Sequence, residues 1–333
     1  MKKKILIGIV LVLAVSMTAP AWDVLGHAFI MEGIRGGAGM ANGNELYGVT
    51  APDFVNYLYP TPYYGFLYDQ THSDFMALYN KALTPAEKLL VVGFVAHNGV
   101  WGADHVAHSA SLTIGDPTHG YVINKAMQLE AVYAYYGVWA AMGLDGADEQ
   151  SAAFRLELCH NIIEYAIDIM IWSQNPGLPE RVAEAAMVRA PSMGRLVVAA
   201  YADPLVAFSQ GTAAPLNLAA ADAILVPAEA AFRQRVITYA GLFIGATSVE
   251  EVLGRFDPYL RGLAADMFGL SLLPGQAGQL LGLALQAGLL GDLGGELLAT
   301  IQYVGKNLAD NGIGYNGPGK SNKPTAPKGI LKK

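Results

Sequence analysis

Residues 84–108 read TPAEKLLVVGFVAHNGVWGADHVAH, and this stretch decides the fold. It opens with Thr84-Pro85, a helix-capping residue followed by a residue suited to the first helical position. Apolar residues then recur with helical spacing, and an acid lies in the first turn. The sequence therefore predicts a helix that continues toward the end of the stretch, bent at Gly99 and Gly102.

Helical patterning also dominates the rest of the chain. Two further long helices are predicted over residues 122–142 and 152–172, and no strand-like alternation persists anywhere. Residues 22–44 predict a short apolar helix followed by a glycine-rich turn. Residues 47–68, rich in Tyr, Pro and Gly, predict an ordered loop layer. The predicted fold class is all-α.

The composition allows a large buried core without covalent cross-links. Apolar residues make up 53% of the chain and charged residues 15%, so a helical core can provide most of the stability. Cys159 is the only cysteine, which excludes an intramolecular disulfide. The chain is acidic, with 28 Asp and Glu against 21 Lys and Arg. Acidity disfavours nucleic acid as a partner without excluding it, because basic patches provide most non-specific affinity.

Residues 1–21 have the pattern of a secretory signal peptide. Three lysines at positions 2–4 precede an apolar run over 5–17, and Ala19-Pro20-Ala21 matches an A-x-A cleavage site. The alternative is an uncleaved anchor, but the run is shorter than the about 20 apolar residues of a spanning helix. We therefore expect cleavage before Trp22 and a periplasmic or secreted protein.

Three potential metal ligands are spaced for one helix face. His97, Asp104 and His108 lie seven and then four residues apart. They deviate by only about 20° from one line along a helix. Such side chains are costly to bury without a partner, and zinc binds this combination of nitrogen and oxygen ligands. His105 lies off this face and is expected beside the site or at the surface.

A second pair lies on the helix predicted over residues 152–172. His160 and Glu164 are one turn apart, so both can reach one metal ion. A plain hydrogen-bonded pair would have the same spacing. The three residues of the preceding paragraph favour the metal hypothesis.

Trp22 and His27 add two more potential ligands near the predicted cleavage site. A free α-amino group at Trp22 has a pKa near 8 and can bind zinc when a pocket is ready for it. Its carbonyl oxygen can chelate the same ion, and His27 can reach around to the same site.

These residues resemble a known superfamily. The start Trp22-Asp23-Val24-Leu25-Gly26-His27, with His160-x3-Glu164 far downstream, is similar to the zinc-dependent phospholipase C and S1/P1 nuclease superfamily. The resemblance covers about residues 22–172. It implies a multi-helical domain with three zinc ions, whose ligands follow one chain order. That order can be filled here by Trp22, His27, Asp53, His72, His97, Asp104, His108, His160 and Glu164.

The resemblance also implies how the ligands are shared. One ion would be held by Asp53, His72, His97 and Asp104. The Trp22 backbone and His27 would hold a second ion together with the shared Asp104. The third would be held by His108, His160 and Glu164. Asp53 would also orient or deprotonate the attacking water, which makes it the candidate catalytic residue.

Several positions leave alternatives open. Asp53 and His72 are predicted to lie in loops, where spacing in the sequence does not predict which side chains lie close together. Asp69 and Asp74 compete with Asp53, and His119 competes for one histidine position. The family usually has its acid four residues after the first helix histidine, but that position here is Trp101.

The function implied by the resemblance is hydrolysis of a phosphodiester. Phospholipase C acting on phospholipids is favoured, because the chain is acidic and its apolar C-terminal helices suit peripheral membrane contact. An S1/P1-type single-strand nuclease is the alternative, and a non-catalytic zinc-binding envelope protein is the alternative from another class.

The expected domain organisation combines the resemblance over residues 22–172 with a change in composition beyond about residue 210. Residues 22–210 would form the catalytic domain, 211–311 an Ala-, Leu- and Gly-rich helical region, and 312–333 a disordered basic tail. The uncharged residues 269–291 leave three alternatives, which are core helices, an interfacial amphipathic helix and a membrane span.

Overall fold

A computed structural model describes residues 22–189, 191–268 and 270–313, which form a sequence of helices joined by short loops. No strand occurs within these ranges, so the all-α prediction is confirmed for the described residues. The predicted signal peptide lies outside the described residues, as does the predicted tail beyond residue 313.

The helices are named here in chain order. They are α1 (Asp23–Arg35), α2 (Gly43–Gly48), a 3-10 helix (Ala51–Leu58), α3 (Tyr64–His72), α4 (Met76–Tyr79), α5 (Pro85–His97), α6 (Ala103–His108), α7 (Tyr121–Tyr135), α8 (Val138–Ala141), α9 (Glu149–Gln174), α10 (Leu178–Val188), α11 (Met193–Ser209), α12 (Leu218–Gly241), α13 (Val249–Phe268), α14 (Gln276–Gln286) and α15 (Leu293–Asp310).

The predicted loop layer over residues 47–68 is largely helical instead, with a turn over residues 59–63. The 3-10 helix carries Asp53 and α3 ends at His72, so neither residue lies in a loop. Pro52 lies near the start of the 3-10 helix, where its missing N–H costs no hydrogen bond. The buried apolar side chains of this segment, such as Phe54 and Val55, join the core. Burial of these side chains decided the conformation where the turn-forming composition had indicated a loop.

Two predicted long helices are each divided in two. The helix starting at Pro85 has the expected Thr84 capping box, but it ends at His97, and α6 begins only at Ala103. Residues 122–142 form α7 and α8, separated at Gly137, which has a φ of +68°. That left-handed conformation is open to glycine at no steric cost and ends the helix there.

A close helix crossing sets the position of the 3-10 helix. A Cβ on Gly48 of α2 would lie 2.0 Å from the carbonyl oxygen of Leu90, and one on Gly93 of α5 would lie 2.3 Å from that of Glu45. Only glycine permits this approach of two backbones. Val49, at the end of α2, is thereby held beside α5, and the 3-10 helix with Asp53 follows directly.

Hydrogen bonds cross the predicted boundary near residue 210. The Tyr47 hydroxyl donates to Glu229 at 2.8 Å, and both groups are buried. The Tyr133 hydroxyl donates to the carbonyl oxygen of Leu280 at 2.6 Å. The separate helical region over 211–311 stays a prediction, but its helices pack on the same core as the preceding ones. None of the helices in the described ranges combines the length and apolar character needed to cross a membrane.

Candidate metal centre

Asn98 builds the turn that brings Asp104 back to His97. Its side-chain oxygen accepts the backbone N–H groups of Val100 and Trp101, both at 2.9 Å. Its amide nitrogen donates to the carbonyl oxygen of Val95 at 2.7 Å, and the residue is fully buried. The Asn98 side chain takes the place of the backbone hydrogen bonds that would continue the helix. For this reason α5 can end and α6 can start in a new direction.

The first cluster of buried ligand-type side chains comes from four elements. His72 Nε2 and His97 Nε2 lie 3.2 Å apart. Asp53 Oδ1 lies 3.5 Å from His72 Nε2 and 3.8 Å from His97 Nε2. Asp104 Oδ1 lies 3.9 Å from His97 Nε2. The 3-10 helix, α3, α5 and α6 thus bring four side chains close together. The potential metal groups divide them, with Asp53 and His97 in one group and His72, His97 and Asp104 in another, whereas the resemblance implied one ion for all four.

Backbone carbonyl groups orient the rings of His72 and His97. His97 Nδ1 lies 2.8 Å from the carbonyl oxygen of Val49, and His72 Nδ1 lies 3.2 Å from that of Tyr68. A carbonyl oxygen only accepts, so His97 Nδ1 carries the hydrogen and the neutral His97 ring has a free lone pair on Nε2. His72 Nδ1 also lies 2.8 Å from the Thr71 hydroxyl, and although burial opposes it, the hydrogen bond to Asp53 and the charge of Asp104 raise the pKa of His72. The lone pair of His97 Nε2 faces His72 Nε2 at 3.2 Å, so a proton on His72 or a cation lies between the two rings.

A second cluster joins α6 to α9. His160 Nε2 lies 2.9 Å from both His108 Nε2 and Glu164 Oε1. His108 Nδ1 lies 3.2 Å from Asp104 Oδ1, which links this cluster to the first one. Glu157, one turn before His160, lies 3.5 Å from its Nδ1. A carboxylate on the far nitrogen of a metal-binding histidine is the usual arrangement around zinc.

His27 lies against the first cluster with no hydrogen-bond partner. Its ring stacks on that of His97 with 4.1 Å between centroids. It is fully buried, and neither ring nitrogen has a partner among the described residues. Buried polar atoms without a partner are rare and call for an explanation such as an ion. One of its nitrogens lies within 4.8 Å of ligand atoms of Asp53 and His97.

Trp22 is anchored beside Asp104. Its indole Nε1–H donates to the carbonyl oxygen of Ala103 at 2.8 Å, and its ring stacks on Tyr121. The side chain is fully buried. The predicted role of its free amine as a ligand stays a prediction, because the preceding residue lies outside the described ranges.

The eight predicted ligand side chains all fall into three groups that could hold a metal ion. These groups are His27, Asp53 and His97; then His72, His97 and Asp104; and finally His108, His160 and Glu164. The last group matches the predicted one. The first places His27 with Asp53, whereas the resemblance had placed it with the shared Asp104.

The distances between imidazoles fit shared metal ions. Two histidines on one tetrahedral zinc, each bound at about 2.05 Å, have nitrogen atoms about 3.3 Å apart. The pair His72 and His97 has 3.2 Å between Nε2 atoms, and the pair His108 and His160 has 2.9 Å. The donor set of imidazoles and carboxylates also suits zinc and related transition metals.

Burial keeps two histidines of the first cluster neutral. The pKa of His27 is well below its ordinary value, because burial disfavours the charged ring and His97 adds to this effect. Burial also lowers the pKa of His97, against the opposing charge of Asp53. Neutral imidazole is the form that binds metal, so these residues are in the metal-binding form at neutral pH.

The second cluster holds a proton where no cation is bound. Burial raises the pKa of Glu164 to about 8, although the charge on His160 opposes that shift. Burial disfavours the charged form of His160, but the charge of Glu164 and the hydrogen bonds to Glu157 and Glu164 together outweigh burial and raise the pKa of His160 well above its usual value. At neutral pH this pair therefore shares a proton, which a metal ion would displace.

The competing residues lie elsewhere. Asp69 and Asp74 are exposed, and His119 pairs with Asp116 with 3.2 Å between Nδ1 and Oδ2. His105 is half-buried and belongs to none of the three groups.

Sequence reasoning missed two residues that support the site, which are Asn98 and Glu157. Glu157 could have been found from its i, i+3 spacing to His160. Asn98 follows His97 directly and precedes a glycine, which is a turn signal.

No protein-family model matches this chain, and neither the curated proteins nor the solved structures contain a significant match.

Proposed function

We propose that the chain is a zinc-dependent phosphodiester hydrolase of the phospholipase C type. The observation that carries the proposal is the convergence of eight buried or half-buried ligand-type side chains on three adjoining groups. So many imidazoles and carboxylates would be costly to bury at one place unless cations compensated them.

Zinc, when bound, supplies positive charge that stabilises a phosphodiester in the transition state and makes water acidic near neutral pH. The residues of the chain orient the water, accept its proton and admit the substrate. Asp53 is buried with Oδ1 facing His72 and His97, so it is placed to orient the attacking water and accept its proton. His108 is the most exposed of the ligand side chains, at 16%, so substrate is expected to approach from its side.

Charge pairing favours phospholipid over nucleic acid as the substrate. Many arginines in the described ranges are already paired with carboxylates, which reduces the free positive charge available to a polynucleotide backbone. Examples are the pairs Arg155–Glu130, Arg181–Glu32, Arg189–Glu229 and Arg195–Glu87. The proposal includes export with cleavage before Trp22, and peripheral contact with a lipid surface. The single-strand nuclease remains the second candidate because its chemistry needs the same metal centre.

The proposal is tested by metal analysis and three substrates. We expect about three zinc ions per chain by plasma mass spectrometry, and hydrolysis of phosphatidylcholine vesicles that stops with a chelator and returns with zinc. Less than one ion per chain would overturn the proposal. Cleavage of single-stranded DNA without lipid hydrolysis would establish the nuclease. Full zinc content without turnover of lipid, DNA or bis(p-nitrophenyl) phosphate would indicate the non-catalytic binding protein.

A further inference from the structure

Asp168 continues the line of ligands on α9 without belonging to any ligand group. His160, Glu164 and Asp168 follow one another at intervals of four residues, so they project from one face of the helix. Asp168 is fully buried, yet none of the three potential metal groups includes it. A buried carboxylate in this position needs hydrogen-bond donors, and it obtains them from another helix.

The donors are backbone N–H groups at the start of α1. Asp168 Oδ2 accepts the N–H of Leu25 at 2.8 Å, and Oδ1 accepts that of Gly26 at 2.7 Å. The first N–H groups of a helix have no partner within the helix, and Trp22 provides no side-chain cap. A carboxylate here satisfies both groups and is also favoured by the helix dipole. The Tyr239 hydroxyl donates to Oδ2 at 3.0 Å and fixes the carboxylate from α12.

The residues held in this way lie between two predicted ligands. Trp22 precedes them and His27 follows them, so the position of the first turn determines where both groups point. Asp23 has a φ of +43°, a left-handed conformation that non-glycine residues rarely adopt without outside support. A Cβ on Gly26 would lie 2.7 Å from Trp22 Cβ, so glycine is needed for this tight first turn.

Resting on the proposed metal centre, we propose that Asp168 is a positioning residue, which holds the first turn of α1 so that His27 and the Trp22 backbone face the metal ions. One helix then serves the centre in two ways. His160 and Glu164 contribute ligand atoms directly, while Asp168 aligns the ligands of a second helix. Tyr239 brings the C-terminal half of the chain into the same arrangement.

The test compares zinc binding in three variants of the full mature chain. We expect Asp168→Ala to retain about two of three zinc ions, with the affinity for the lost ion reduced about 10–100-fold. Asp168→Asn should show a smaller loss, because one amide oxygen can still accept one N–H group. Tyr239→Phe leaves the carboxylate in place and should show the smallest loss. Zinc is counted after dialysis against graded chelator, and melting temperature is recorded for each variant.

Glu32→Gln is the matched control, because Glu32 is a buried carboxylate at the other end of α1. It accepts the N–H of Gly39 at 2.9 Å and pairs with Arg181 at 2.8 Å. This variant should lower the melting temperature while keeping the full zinc content. If Asp168 had only a structural role, the Asp168 and Glu32 variants would both have lower melting temperatures, and both would bind zinc with unchanged affinity.

The outcomes separate this proposal from the proposed function. Normal zinc number and affinity in Asp168→Asn and Tyr239→Phe would overturn the positioning role, even if Asp168→Ala does not fold. Equal zinc loss in Glu32→Gln would overturn it as well. A wild-type chain that binds three ions but hydrolyses no phosphodiester would remove the function and leave the role of Asp168 intact. A wild-type chain without zinc would overturn both.

Discussion

The Nε2 atoms of His108 and His160 lie 2.9 Å apart, although 52 residues separate them in the chain. They come from α6 and α9, and Glu164 adds an oxygen 2.9 Å from His160 Nε2. The His108 Nδ1 atom lies 3.2 Å from Asp104 Oδ1, so the ring spans the space between this carboxylate and His160. The ligand atoms of His108, His160 and Glu164 therefore lie close enough together to hold one metal ion.

Replacement of His160 should remove one metal ion. We expect His160→Ala to lower the zinc content by about one ion per chain, because two remaining ligands rarely hold zinc in competition with a chelator. Hydrolytic activity should fall by at least about 100-fold, since outer residues alone account for 10–100-fold effects at such sites. Plasma mass spectrometry and a vesicle assay measure both quantities. His119→Ala is the control, because His119 pairs with Asp116 outside the centre. Unchanged zinc content in His160→Ala would contradict the assignment.

The ligands on α9 could be predicted from the sequence because their geometry is local. His160 and Glu164 need only one regular helix to meet, and the periodic apolar pattern over residues 152–172 predicts that helix. The ligand order implied by the family resemblance supplied Asp53 and His72, for which local spacing gave no signal. All eight predicted ligand side chains lie in the three groups.

The geometry around Asp104 could not be predicted, because it depends on a side chain acting in tertiary structure. The spacing of His97 and Asp104 suits one continuous helix, and that prediction was wrong. Asn98 ends the helix by binding the next backbone N–H groups itself. Burial likewise turned the loop predicted around Asp53 into a 3-10 helix. The positioning role of Asp168 depends on a contact between residues 143 positions apart, which no local pattern indicates.

Asn98 provides a test of how the turn supports the centre. Asn98→Ala should lower the free energy of unfolding by roughly 2–4 kcal/mol, because it leaves several buried backbone groups without partners. It should also lower zinc content, since Asp104 loses its fixed position relative to His97. Asn98→Asp keeps the oxygen that accepts the N–H groups of Val100 and Trp101 and should retain more zinc. Urea unfolding gives the free energy of unfolding, and metal analysis gives the zinc content. Equal zinc in both variants and the wild type would show that the turn is not needed.

Glu87 should make the stability of α5 depend on pH. Burial raises its pKa, but hydrogen bonds from Ser192 and the backbone of Thr84, with further help from Arg195, lower it from 4.5 to about 2. A carboxyl group with a lowered folded-state pKa stabilises the protein above the unfolded value and loses this effect as pH falls through the folded one. Glu87→Gln should therefore have a lower free energy of unfolding than the wild type at pH 7. The difference between the two free energies should become smaller as pH falls from about 4.5 to 2.

The measurement is urea unfolding of the metal-free protein across that pH range. Metal-free protein is used because acid would release zinc and add its own pH dependence. Glu184→Gln is the control, since Glu184 is exposed to water in the same part of the fold. A difference between Glu87→Gln and the wild type that stays constant from pH 7 to pH 2 would contradict the prediction.

Glu296 links the C-terminal helix α15 to the loop that follows His108. It is fully buried and accepts the backbone N–H groups of Leu112 at 2.8 Å and Thr113 at 2.9 Å, together with the Thr113 hydroxyl. We expect Glu296→Ala to lower the free energy of unfolding by roughly 2–4 kcal/mol, because these donors lose a buried partner. Residues 111–119 should become sensitive to limited proteolysis, since local stability governs cleavage in loops.

Zinc content distinguishes this effect from damage to the metal centre. No predicted ligand lies between residues 109 and 120 apart from the competing His119, which is paired with Asp116. Glu296→Ala should therefore keep its zinc while its loop is cut faster, and Glu296→Gln should show a smaller change in both stability and cleavage. Loss of zinc at the same rate as loop cleavage would instead mean that α15 supports His108 itself. The C-terminal region would then be part of the metal centre, because α15 also packs against α1, α5 and α6.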